Sequence, residues 1–132
     1  MQCFDMFDII HKAVSTMPAV TRVASEVIED FAADNVAYCE LRTTPRHDCV
    51  DESGQPVSRA EYVRAIVEVI ERSQLQQADF ASSVPPMVVR LLLSIDRSMT
   101  LETAQEVVLL AHEFQTEAVR PCKSFSWDLL AA

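Results

Sequence analysis

The chain has 132 residues, 49% of them hydrophobic, with 11 basic against 20 acidic side chains and a net charge of −9. That suits one globular domain. It is too apolar for a disordered tail, and it lacks the run of about eighteen apolar residues that a membrane-spanning helix needs. No basic cluster offsets the negative charge, which argues against a nucleic-acid partner, and the single glycine, Gly54, excludes both the dinucleotide fingerprint and the phosphate loop.

No basic-then-apolar leader opens the chain, so a cytosolic protein is expected, with no membrane partner. Cys3, Cys39, Cys49 and Cys122 show no CxxC spacing. They read as free thiols, two of them buried, rather than as a disulfide framework.

In chain order, the first helical periodicity joins Phe4, Phe7, Ile10, His11 and Val14. A second helix opens near Pro18, a good first-turn residue, and lines up Val20, Val23, Ala24, Val27, Ile28 and Phe31. A strand is predicted over 36–42, between the loop signals Asp34-Asn35 and Thr44-Pro45. A third helix starts at the capping box Ser58-Arg-Ala-Glu61 and continues through Val63, Ile66, Val67 and Ile70. A second strand follows Pro85-Pro86, over 88–96, and a fourth helix follows Thr100 with Ala104, Val107, Val108, Ala111 and Phe114. A helix between two strands implies a parallel pair joined by a crossover.

Both strands have one apolar and one polar face. Ala37, Cys39 and Leu41 oppose Tyr38, Glu40 and Arg42; Val89, Leu91, Leu93 and Ile95 oppose Arg90, Ser94 and Asp96. A sheet with helices on both sides would be apolar on both faces. One greasy face, one polar face and charges at the carboxyl ends fit a (β/α) barrel, whose polar interior leads to its catalytic mouth. Such barrels need about 250 residues and eight strands. The expected architecture is therefore α/β, a partial TIM (β/α)8 barrel of two parallel strands with four helices.

The segment Val36-Ala-Tyr-Cys-Glu-Leu-Arg-Thr-Thr-Pro-Arg46 resembles the second barrel strand and loop of the adenosine deaminase-like proteins. Phe4-Asp-Met-Phe-Asp-Ile-Ile-His11 and Val27-Ile-Glu-Asp-Phe-Ala32 resemble the same family's helices, and Val89-Arg-Leu-Leu-Leu-Ser-Ile-Asp-Arg97 its third strand. The branch it resembles most is that of the N6-methyl-AMP deaminases. The resemblance implies a zinc-dependent aminohydrolase, in which a metal-bound water attacks the purine C6 and displaces the amine. The implied reaction is N6-methyl-AMP plus water to IMP and methylamine.

By motif match, His11, Thr43, Thr44, Pro45, Arg46 and Asp96 align with family positions that contact the nucleotide. Arg46 suits a phosphate through charge-assisted hydrogen bonds, and Thr43 and Thr44 can donate hydroxyls to the same group. His11 reads equally as a half-buried packing residue, and Asp96 equally as support for the next helix. Glu40 and Arg42 are expected to form an internal ion pair. His112-Glu113 lacks the second histidine of a zinc protease, since position 116 is Thr116, and His47 has no partner spacing for a metal.

The family's His-x-His zinc pair does not occur, and its later zinc histidine, catalytic glutamate and paired aspartates match no part of the chain. Residues 1–118 read as the barrel portion and 119–132 as a divergent tail. An alternative exon and a gene-model error account for that tail equally well. The expectation is a fragment or short isoform of the enzyme, inactive alone and binding no zinc. The alternative is a non-enzymatic chain that acts by associating with a full-length copy.

Overall fold

A computed structural model of the chain describes residues 9–10, 12–79, 87–114 and 119–121. Residues 9–10 and 12–13 are helical, and the rest of the first predicted helix lies outside the described residues. Helix α1 (Met17–Ala33) starts where Thr16 accepts a hydrogen bond from the Ala19 amide, with Pro18 in the first turn. It ends in a Schellman motif: Asn35 N–H donates to the Ala32 carbonyl and Val36 N–H to that of Phe31, with Asn35 left-handed at φ 60°. Asn35→Ala is expected to cost about 1 kcal/mol, because a Cβ without a local polar group disfavours that conformation. Asn35→Gly should stay within a few tenths. Urea midpoints followed by circular dichroism check both.

Strand β1 (Tyr38–Thr43) follows, then helix α2 (Arg59–Asp79), strand β2 (Val88–Leu93), helix α3 (Leu101–Glu113) and strand β3 (Val119–Pro121). The Ser58–Glu61 capping box forms as the sequence predicts. The Ser58 amide donates to Glu61 Oε2 at 2.9 Å, and the Glu61 amide donates to Ser58 Oγ at 3.3 Å. Thr100 caps α3 by accepting from the Thr103 amide at 3.2 Å.

The sheet order is β1-β2-β3, parallel throughout, with Tyr38 opposite Val88 and Thr43 opposite Leu93. The third strand adds to the two expected; Leu91–Leu93 of β2 take it up in register with Val119–Pro121. β2 stops three residues short of the predicted end, and Ile95 and Asp96 lie in the loop beyond it.

Val89, Leu91 and Leu93 are buried at 0%, 1% and 6% exposure in one core with Val20 and Ile28 of α1, Val63, Ile66 and Ile70 of α2, and Val107 and Leu110 of α3. Cys39 and Leu41 pack against it from β1. The described helices therefore cover a single face, as the alternation predicts. Tyr38, Glu40, Arg42 and Val88 stay exposed on the other, with Arg90 and Leu92 half-buried. The predicted apolar stripe of α1 is only partly covered. Val20 and Ile28 are buried, but Val23 and Phe31 remain 45% and 40% exposed, since α2 is the one described helix that flanks α1 closely.

Candidate functional site

Strands that run parallel and return through helices place every strand's carboxyl end, and the N-terminus of each following helix, on one side of the sheet. The loop after β1 and the start of α1 meet there. The Met17 amide donates to the Val50 carbonyl at 2.8 Å, and the Val50 amide to that of Ser15 at 3.1 Å. Further along that loop, Asp51 Oδ1 accepts the Ser53 and Gln55 amides, each at 2.8 Å, in a turn that needs the positive φ of Gly54.

Five of the six predicted site residues can be placed; His11 lies outside the described residues. Thr43 and Thr44, adjacent in the chain, point to opposite faces. The Thr43 hydroxyl turns to the helical side and shares a 2.9 Å hydrogen bond with the Tyr62 hydroxyl of α2. Burial pushes the Tyr62 phenol above its ordinary pKa, so it is neutral and able to donate. The Thr44 hydroxyl lies 2.9 Å from the Ser94 hydroxyl, just past the ends of two neighbouring strands on the uncovered face. Pro45 is buried and fixes the turn between Thr44 and Arg46.

Arg46 is largely buried. Its Nε and Nη2 donate to Asp48 Oδ1 and Oδ2, each at 2.8 Å, and its Nη1 donates to the Val14 carbonyl at 2.9 Å. This ties the loop to the segment before α1. The guanidinium holds the Asp48 carboxyl down at about 2, from an ordinary 3.8. Because the folded value lies below the unfolded one, the pair stabilises fully above about pH 4 and is lost as pH falls through about 2. Asp48 is 59% exposed, so screening limits the contribution to under about 1 kcal/mol. The stability gap between the chain and Asp48→Asn should accordingly close between pH 4 and pH 2, as read by urea unfolding at several pH values.

Asp96 is exposed in the loop after β2. Its carboxylate accepts from the amide and hydroxyl of Ser98, which hold it below its ordinary pKa and form a turn leading into α3. The expected Glu40–Arg42 ion pair is not present. Glu40 Oε1 accepts instead from the Tyr38 hydroxyl at 2.6 Å, because an ion pair in open solvent gains too little to hold two long side chains together. Sequence reasoning missed Ser94 and Tyr62 as partners of the two threonines. Ser94 had a signal, its place on the polar face at a strand end, whereas Tyr62 looked like any residue of a helical core.

Other polar groups near this end are engaged in structure. Arg59 donates from Nη1 to Glu106 at 2.7 Å and lies 3.2 Å from His47 Nδ1, linking the loop, α2 and α3. Arg64 of α2 stacks over the Phe114 ring beyond α3 at 5.7 Å. Cys39 and Cys49 are free thiols, half-buried and buried, and burial raises both above their ordinary pKa, which makes them poor nucleophiles. A cleft of about 410 Å³ between α1 and α2, with Arg22, Glu29 and Arg72 on its walls, includes none of the predicted site residues.

The geometry thus sets hydroxyls and a bidentate-capable arginine at the mouth of a one-sided parallel sheet. Comparison with known proteins decides what kind of sheet this is. A profile described as adenosine deaminase matches residues 1–122. The chain belongs to the adenosine deaminase family. It is 37% identical to the N6-mAMP deaminase of Arabidopsis thaliana over 90% of its own length and 36% of that protein's. It is 40% identical to the N6-methyl-AMP deaminase of Bos taurus and 36% identical to that of Homo sapiens, in each case over 86% of this chain and 29% of the other. The chain therefore spans about a third of the length of these curated relatives.

The family's fold is a TIM barrel, and the parallel strands with helices on one face are part of such a barrel. The face that no described helix covers corresponds to the interior of such a barrel, and Thr44 and Ser94 lie on that side just past the carboxyl ends of β1 and β2. The family is metal-dependent. Among the described residues, no three His, Cys, Asp or Glu side chains come close enough to hold an ion. These residues do not fit zinc.

Proposed function

We propose that this chain provides the second and third strand units of a purine nucleotide aminohydrolase that takes N6-methyl-AMP and water to IMP and methylamine. The observation that carries this reading is the pair of hydroxyls, Thr44 and Ser94, joined across neighbouring strand ends on the open inner face. Similarity to N6-methyl-AMP deaminases over most of the chain supports the substrate class. In this reading Thr44 and Ser94 bind and orient the nucleotide, and Arg46 pairs with its phosphate through two parallel N–H···O bonds. Tyr62 holds Thr43, and with it the start of the loop, in place. Metal and proton-transfer groups belong to other strand units, so the 132-residue chain binds nucleotide without turning it over.

The test has two parts. The purified chain with zinc and N6-methyl-AMP is expected to release no methylamine, and zinc-dependent release would overturn the proposed inactivity. Titration with IMP, followed by NMR, is expected to show binding that the Thr44→Val/Ser94→Ala variant weakens about tenfold, from two lost hydrogen bonds of roughly 0.5–1 kcal/mol each. Unchanged affinity would remove these hydroxyls from the nucleotide site.

A second reading, association with a full-length copy, is favoured by the outer edge of β1. Among the described residues no strand pairs with it, and Tyr38 beside it on the inner face is 52% exposed. Co-purification of the chain with full-length enzyme would support that reading, and a chain that stays monomeric in the mixture would exclude it.

A further inference from the structure

We propose that Asp48 is a resident anion on the phosphate-binding fork of Arg46, and that a phosphate monoester must displace it to bind. The inference rests on the reading of Arg46 given above and adds a residue that sets how strongly the site distinguishes phosphorylated from unphosphorylated ligands.

Three observations support it. Asp48 meets Arg46 through both carboxylate oxygens, at 2.8 Å from Nε and 2.8 Å from Nη2, the same two-oxygen geometry that a phosphate presents to a guanidinium. The two partners differ in how they are held. The Arg46 side chain is 20% exposed and anchored by Nη1 on the Val14 carbonyl, so the fork has an independent support when Asp48 leaves. Asp48 is 59% exposed, on the solvent side of the fork, and can swing out without opening the core. Finally, Arg46 and Asp48 lie two and four residues beyond Thr44, in the loop at the carboxyl end of β1 where the nucleotide is proposed to bind.

An exposed ion pair is weak, and a phosphate dianion offers the fork more charge than a carboxylate does. Asp48 therefore lowers the affinity for phosphate monoesters by the fraction of time it occupies the fork, a factor of about five for a pair of this exposure. A neutral nucleoside makes no demand on the fork and gains nothing from its release.

The experiment is an NMR titration of the ¹⁵N-labelled chain, Asp48→Asn and Arg46→Gln with inorganic phosphate, IMP and inosine. Asp48→Ser serves as a second variant lacking the carboxylate. The Met17 and Val50 amides, whose hydrogen bonds do not involve Asp48, report that the loop is intact. Both Asp48 variants are expected to bind phosphate and IMP about fivefold more tightly than the parent chain. Inosine should be unaffected, and Arg46→Gln should lose the gain due to phosphate. A gain for inorganic phosphate without one for IMP would overturn the nucleotide assignment. Equal affinities for the parent and both Asp48 variants, with Arg46→Gln weaker, would overturn the role of Asp48 and leave Arg46 as a phosphate contact. Equal affinities throughout, or no saturation by any variant, would overturn both.

Discussion

Val89→Asp is expected to unfold the chain, whereas Val88→Asp, one residue earlier, should cost under about 1 kcal/mol. Val89 is 0% exposed, the second residue of β2, on the face that α2 and its neighbours cover. A carboxylate there would lose its hydration with no partner to replace it, a penalty of several kcal/mol in a domain whose whole stability is of that order. Val88 is 37% exposed and points to the inner face, where water already reaches the side chain. Far-UV circular dichroism and urea unfolding of the two variants test this directly. Equal destabilisation would mean that the inner face is covered in solution, by a second copy or by chain segments outside the described residues.

Ile70→Ala is expected to destabilise the chain by about 3 kcal/mol. Ile70 is 0% exposed near the middle of α2, in the core that holds helices and sheet together. Removing three methyl or methylene carbons loses their transfer energy and leaves a cavity that rigid neighbours on β2 cannot fill. Leu75, on the same helix but 69% exposed, provides the contrast: Leu75→Ala should change the urea midpoint little, since alanine is also the better helix former. An Ile70→Ala cost under about 1 kcal/mol would show that α2 is not packed on the sheet.

The parts of the fold that could be read from the sequence are those set by neighbours a few residues apart. Ser58 and Glu61 are three positions apart and close their capping box without help from the rest of the chain. Thr100 caps α3 through Thr103, again three residues on. Alternation along β1 and β2 announced a sheet with one covered face, because successive side chains must point to opposite sides. The family resemblance of the ELRTTPR segment named in advance the strand end that carries Thr44 and Arg46.

Other features depended on segments far apart in the chain. Thr43 and Thr44 looked equivalent in sequence, yet one meets Tyr62, 19 residues on, and the other meets Ser94, 50 residues on. Which partner each takes follows from the register of β1 against β2 and from the seating of α2, neither of which local pattern encodes. The same holds for the third strand, whose three residues carry too short a pattern to announce themselves and pair only because β2 offers an edge.

The amino-acid sequence thus settled the order of α1, β1, α2, β2 and α3, the parallel pairing of β1 with β2, their apolar and polar faces and the family, since all of these rest on short-range periodicity and a local motif. Tertiary structure alone decided how the site is assembled: it set Arg46 on Asp48 and Val14, joined Thr44 to Ser94, and turned Thr43 away to the helices. The physical reason is that a hydrogen bond between distant segments forms only after register and packing have brought its donor and acceptor within about 3 Å.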